Sequence, residues 1–182
     1  MQIIHDTTEF HMDVGSAVAI GKFDGVHRGH EMLLSCILEK KKQGMKAVVF
    51  TFHPSAAVYF GQTSGGELTT REEKRSCFER LGVDTLIEFP LNKETAATSP
   101  EDFVREILVK RMNTAFVAAG RDLSFGRGGK GDSRLLEKMA LHPSNSKSDD
   151  SNISKWRYPK RYLLLEYNIL LKKETPTEYY QR

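Results

Sequence analysis

Cysteine is nearly missing, with two in 182 residues. Cys36 and Cys77 lie far apart and lack the close spacing of a zinc or redox motif. A disulfide scaffold is therefore excluded, and both residues read as reduced, partly buried thiols. Net charge is also small, at +3, and no basic stripe runs along the chain. Nucleic acid and anionic membrane surfaces are thus not expected partners. The triple lysine at 40–42 sits near a predicted helix C-terminus, where cations meet the negative end of the dipole. Long apolar runs are missing too, so no membrane span is expected. The N-terminal "MQIIHDTTEF" carries early acids and no apolar core of a signal peptide. The expectation is a cytoplasmic protein without nucleic-acid or membrane partners. Its length suits one domain, 1–182, with a core over about 15–140.

The chain alternates strand and helix signals. "AVAI" (17–20), "KAVVFTF" (46–52), "VDTLIEF" (83–89) and "TAFVAAG" (114–120) read as strands. Continuous apolar strands mean burial on both faces. Between them lie predicted helices over 30–44, 69–82 and 99–112, followed by 133–140. A threonine cap and Gly82 bound the second, and Ser99 with Pro100 opens the third. This order predicts an α/β fold, a doubly wound Rossmann-like parallel sheet. The polar 142–152 stretch reads as a loop, and 161–173 is apolar enough for a helix.

The densest signal is "AIGKFDGVHRGHEMLL", where the first strand hands over to a helix. In open α/β sheets, ligands bind beyond the carboxyl ends of the strands. Gly21, Gly25 and Gly29 permit positive φ and close backbone approach. A helix N-terminus offers N–H groups and a positive dipole end to phosphate. His27 and His30 are three apart and share a face within one helical turn. Zinc would need a third or fourth protein ligand, which is not evident. "SFGRGGKGD" has Ser124 where a P-loop needs its first glycine, and Gly131 follows its lysine.

"GKFDGVHRGH" resembles the G-x-F-D-G-x-H-x-G-H signature of nucleotidyltransferases, specifically the bacterial FAD synthetases. "FTFHPSAAV" (50–58) is similar to the family's T-F-x-P segment, with Ser55 where a second histidine is common. "GRDLSFGRGGKGDSRLL" (120–136) resembles its G-x-D-F-x-F-G element, with Leu123 for the usual phenylalanine. "NISKWRYPK" (152–160) is the nearest match to a late I-S-S-T-x-x-R motif, with Lys155 and Trp156 replacing small hydroxyl residues.

The resemblance implies a nucleotidyltransferase-type fold and an FMN adenylyltransferase. ATP and FMN would be substrates, and Mg²⁺ would bridge the ATP phosphates. His27 and His30 would be catalytic. Gly21, Phe23, Asp24, Gly25, Gly29, Asp122, Ser154 and Arg157 would serve ATP. Asp24 also reads as a turn residue that bonds backbone N–H groups. Thr51, Phe52, Pro54, Phe125 and Arg127 would line the flavin side, under a flap at 60–70. The family's riboflavin kinase module is not expected, because the chain ends at Arg182. Two alternatives stand beside this reading. One is another small-molecule nucleotidyltransferase, acting on pantetheine phosphate or nicotinamide mononucleotide. The other is a flavin- or nucleotide-binding protein weakened by the altered "ISKWR".

Overall fold

The computed structural model describes residues 1–25, 28–62, 67–120 and 122–141, with a further strand pair at Leu165–Glu166. Six parallel strands form one sheet: β1 (Gln2–His5), β2 (Ser16–Ile20), β3 (Lys46–His53), β4 (Thr85–Pro90), β5 (Thr114–Ala119) and β6 (Leu165–Glu166). Their order is β1-β4-β3-β2-β5-β6. The chain steps outward from β2 through β3 to β4, then returns to the other side of β2 for β5. The fold is therefore doubly wound α/β, and its topological switch point lies between β2 and β5.

Burial explains why these segments pair. All five residues of β2 are buried, so the strand needs cover on both faces. One face carries Ala17, Ala19, Ala47, Val49 and Leu86 against Leu34 and Ile37 of helix α1 (Arg28–Lys41) and Phe78 of helix α3 (Arg71–Leu81). The opposite face carries Val18, Ile20, Val48, Phe50 and Ile87 against Phe103, Leu108, Met112 and Leu136. Phe103 and Leu108 belong to the helix after β4, and Leu136 belongs to helix α6 (Ser133–Leu141). Two short helices, α2 (Ala56–Tyr59) and α4 (Lys93–Ala96), follow the carboxyl ends of β3 and β4.

Helix boundaries follow local chemistry. Thr70 caps α3 by accepting from Glu73 N, the Glu73 side chain returns the bond, and Gly82 ends the helix at φ 86°. Ser99 accepts from Asp102 N at the start of α5 (Pro100–Asp102). From there the structure departs from expectation, because the helix continues as a π-helix over Phe103–Arg111. Its wider turn puts Phe103, Leu108 and Met112 on one buried stripe, in steps of five and four. A 3.6-residue repeat from Phe103 would bring Lys110 or Arg111 onto that stripe.

One strand lies outside the expectations, and one expectation changes. Gln2–His5 pairs with β4 as an edge strand, which the polar N-terminus did not suggest. Within the apolar 161–173 stretch, Leu165–Glu166 pairs with Ala118–Ala119 as strand rather than helix. The two-residue pairing satisfies the exposed edge of β5. The remainder of that stretch, and the expected loop at 142–152, lie outside the described residues.

Candidate active site at the strand carboxyl ends

A cavity of about 1010 Å³ opens at the carboxyl ends of the strands, beside the switch point. Gly21, Lys22, Asp24, Gly29 and His30 form one part of its wall. Gly120, Asp122 and the 123–126 segment, after β5, form another. Thr51, Phe52 and Ser55, at the end of β3, meet them, with Phe50, Phe89, Phe103 and Phe125 beneath. These rings pack on one another, with centroids 5.5 Å apart for Phe50–Phe89, 5.6 Å for Phe50–Phe103 and 5.2 Å for Phe103–Phe125. Their edges give the cavity an apolar floor.

The turn after β2 is held open by its own backbone. Gly25 sits at φ 66°, where glycine has no steric penalty. Gly21 is a glycine for another reason, since a Cβ there would lie 3.2 Å from the Phe23 ring. Phe23 adopts φ 50°, an uncommon value for a bulky residue. Packing holds it there: its ring is fully buried, 5.3 Å from Phe78 and 4.9 Å from the His30 ring. Phe23 therefore stands behind the cavity wall rather than among its lining residues. Its side chain supports His30 instead.

His30 Nδ1 lies 3.2 Å from the Gly25 carbonyl oxygen. That oxygen only accepts, so Nδ1 carries the proton. The bond and the Phe23 ring fix the imidazole in the first turn of α1. His27 lies outside the described residues, as do Ser154 and Arg157.

Asp24 is committed to neighbouring backbone. Its Oδ1 accepts from Leu68 N at 2.6 Å and Thr69 N at 3.1 Å, and lies 3.4 Å from Thr69 Oγ1. Gly25 N donates to Thr69 Oγ1 at 3.2 Å. The C-terminal end of the expected flap is thus tied to the turn after β2, while residues 63–66 lie outside the described residues. Burial pushes the Glu67 carboxyl up, but hydrogen bonds from Lys74 and Ser55 outweigh it and hold the group below the usual range.

Across the cavity, Gly120 leaves room for a carboxylate. A Cβ there would fall 2.5 Å from Asp122 Oδ1. Thr51 is buried and donates weakly to the Lys22 carbonyl at 3.4 Å. Phe52 packs against Phe103 at 6.0 Å. Phe125 is 3% exposed and bridges to Gly131, so only its edge reaches the cavity. Pro54 and Arg127, expected on the flavin side, are not among the described lining residues. Arg127 is exposed, and its backbone N–H donates to Thr98 O at 2.7 Å in a 3₁₀ turn whose Gly126, Gly128 and Gly129 line the cavity.

That turn depends on Gly126. It has φ 70°, and a Cβ would lie 2.7 Å from the Pro100 backbone. Both neighbours are backbone and cannot yield as a side chain would. Gly126→Ala is expected to cost about 2–3 kcal/mol, from the positive φ and the clash together. A denaturant midpoint unchanged from the parent chain would contradict this.

Several wall residues escape sequence reasoning. Lys22 occupies the free position of the signature and is the only lysine or arginine among the described lining residues. Thr95 and Ala96 reach the cavity from the short helix after β4, brought there only by the fold, and Phe60 and Gln62 reach it from the expected flap. Among the described residues, no group of three or more histidine, cysteine or acidic side chains could hold a metal. No described helix is long and apolar enough to cross a membrane.

Comparison with known proteins adds to this geometry. A family model described as FAD synthetase matches residues 10–149. The bifunctional riboflavin kinase/FMN adenylyltransferase of Escherichia coli K12 is 34% identical over 129 residues, covering 70% of this chain and 41% of that protein. An FAD synthetase of Listeria monocytogenes is 35% identical over 142 residues, covering 76% of this chain and 57% of that protein. A putative bifunctional riboflavin kinase/FMN adenylyltransferase of Geobacillus thermodenitrificans is 34% identical, covering 74% of each chain. The chain thus spans less than half the length of the Escherichia coli relative. A solved Streptococcus pneumoniae structure, described as a macrolide-efflux protein, aligns with 75% of this chain and 45% of its own at TM-score 0.60. At 24% identity, that likeness speaks to the fold alone.

Proposed function

Because the chain belongs to the FAD synthetase family, we propose that it is an FMN adenylyltransferase, transferring AMP from ATP to FMN. The observation that carries this reading is one cavity that joins a glycine-rich turn at a helix N-terminus to an aromatic floor. A dinucleotide such as FAD needs both: charge stabilisation at its centre and flat apolar surface for its ring.

In the reaction, an FMN phosphate oxygen attacks the α-phosphorus of ATP. A phosphorus–oxygen bond forms to FMN, the α–β bridging bond breaks, and pyrophosphate leaves with the electron pair. No covalent enzyme intermediate is needed, so catalysis is alignment and charge stabilisation. His30 is oriented by its bond to Gly25 O, which makes Nε2 the nitrogen to meet a phosphate. Donation from Nε2 while Nδ1 holds its proton requires the imidazolium, a form that bound phosphate favours. His27 is a second candidate for these phosphates, beside the N–H groups at the start of α1. Gly21, Gly25 and Gly29 let the nucleotide approach the backbone, and Asp122 orients it from the β5 side. Ser154 and Arg157 are candidate contacts for the ATP tail. Thr51, Phe52 and the edge of Phe125 serve the flavin.

Magnesium fits this arrangement as the partner of ATP rather than as a resident ion. It is usually held by one or two carboxylates together with substrate phosphates. Of the two carboxylates in the described wall, Asp24 is spent on backbone N–H groups, so Asp122 is the candidate protein contact. Once bound, the ion neutralises charge on the phosphates. We read residues 1–182 as one adenylyltransferase domain that works in the cytoplasm, where ATP is supplied.

The test is incubation of the 182-residue chain with ATP, Mg²⁺ and either FMN or riboflavin, followed by chromatographic separation of the flavins. FAD is expected from FMN, and no FMN from riboflavin. Failure to form FAD sinks the assignment, and FMN formed from riboflavin sinks its restriction to adenylyl transfer.

A further inference from the structure

Lys22 stands at the position that the signature leaves free, so the resemblance assigns it no role. It lies just past the last residue of β2, and the backbone around it is tied to the carboxyl end of β3. Gly21 N donates to Phe50 O at 3.2 Å, and Thr51 Oγ1 donates to Lys22 O at 3.4 Å. The residue is exposed, and it lines the cavity from the same turn as Gly21, Gly29 and His30.

The charge balance of the wall gives that position its meaning. A cavity that receives phosphate groups has to offset their charge, and fixed carboxylates work against this. Apart from His30, the charged side chains of the described wall are Lys22, Asp24 and Asp122. Asp24 Oδ1 is occupied by Leu68 N and Thr69 N. The cations in the first half of α3 are committed as well. Lys74 pairs with Glu67 at 2.6 Å, and Arg71 and Arg75 both bind Glu88 of β4. Among the described residues, none forms an ion pair with Lys22. Its ammonium is thus a full positive charge that the described structure leaves to the cavity.

We infer that the Lys22 ammonium holds a phosphate group of a substrate in this cavity. A lysine suits the task as a compact point charge on a flexible stem, able to follow a phosphate without a fixed fork geometry. That the phosphate belongs to ATP or to FMN rests on the FMN adenylyltransferase reading. The side chain makes no described structural contact, so its replacement should leave the fold as it is.

Each substrate has a counterpart without phosphate, and binding of the pairs isolates the contact. FMN, riboflavin, ATP and adenosine are titrated one at a time into the full chain with Mg²⁺ present, so that no turnover occurs. In the parent, FMN should bind tighter than riboflavin, and ATP tighter than adenosine. Lys22→Gln should shrink at least one of these two affinity ratios about tenfold, the loss of one charge-assisted hydrogen bond. Loss in the flavin pair places the ammonium at the FMN phosphate, and loss in the adenosine pair places it at the ATP phosphates. Lys22→Arg keeps the charge and should hold the affected ratio within about threefold of the parent. A variant that merely distorts the cavity weakens both members of a pair together and leaves the ratio unchanged. Unchanged ratios in Lys22→Gln, or an equal loss in Lys22→Arg, would overturn the contact. A parent chain that binds neither flavin would defeat the FMN reading, while the adenosine pair would still decide for or against Lys22.

Discussion

With His30 replaced by alanine, FAD formation falls by about a hundredfold or more, while the chain stays folded. The magnitude is that of removing one preorganised donor from a developing oxyanion, about 3 kcal/mol in the barrier. Local geometry sharpens the expectation. Nδ1 is held by the Gly25 carbonyl and the ring lies 4.9 Å from Phe23, so the imidazole is positioned before any ligand arrives. Amide replacements separate the two ring nitrogens. His30→Asn places an N–H near Nδ1 and keeps the bond to Gly25 O, yet offers nothing at the Nε2 position. His30→Gln does the reverse. Glutamine should therefore retain more turnover than asparagine, although asparagine better preserves the turn. Steady-state rates for the three variants check this order, and near-parental turnover in His30→Ala would remove the residue from the mechanism.

Glu88→Gln is expected to cost stability in a way that depends on pH. Glu88 is 4% exposed in β4, and Arg75 donates to it at 2.6 and 3.0 Å while Arg71 donates at 2.7 Å. Burial pushes its carboxyl up, but the hydrogen bonds from Arg75 and Arg71 outweigh it and hold it below the usual glutamate range. Breaking a buried pair from one side costs 3–5 kcal/mol as a rule, and about a quarter of each arginine side chain is exposed. We therefore expect about 2–3 kcal/mol here. The sign with pH follows from the lowered value. Its stabilising contribution is complete above the unfolded carboxyl's value of about 4.3 and is lost as pH falls through the folded value. Asp84 and Glu67, also lowered, act in the same direction. Denaturant midpoints should fall steeply between about pH 5 and pH 3 in the parent. In Glu88→Gln they should start lower at neutral pH and fall less. Parallel pH curves for the two proteins would contradict the role given to Glu88.

What sequence reasoning found, and what it missed, divides along physical lines. Strands β2 to β5 were legible because burial on both faces leaves continuous apolar runs, as in Ser16–Ile20. The Thr70–Glu73 capping box and the left-handed Gly82 were legible because each satisfies backbone groups within a few residues. The turn after β2 was legible as a place, through its glycines and the start of α1. The assignment of single side chains within it was not. Phe23 carries the same aromatic signal whether it meets a ligand or, as here, fills the core behind His30. The partners of Asp24 are set by where α3 begins, and no local pattern announces a contact across more than forty positions. Glu88 reads as an odd acid in a buried strand until α3 supplies two guanidiniums. The π-helix over Phe103–Arg111 departs from the α-helical repeat only through the stripe that packs on the sheet.

The most direct test of adenylyl transfer follows the phosphorus itself. The 182-residue chain is supplied with FMN, Mg²⁺ and ATP labelled at either the α- or the γ-phosphate, and the flavin products are separated. Adenylyl transfer places α-label in FAD and γ-label only in pyrophosphate. Label from the γ-phosphate in any flavin, or no α-label in FAD, would contradict it.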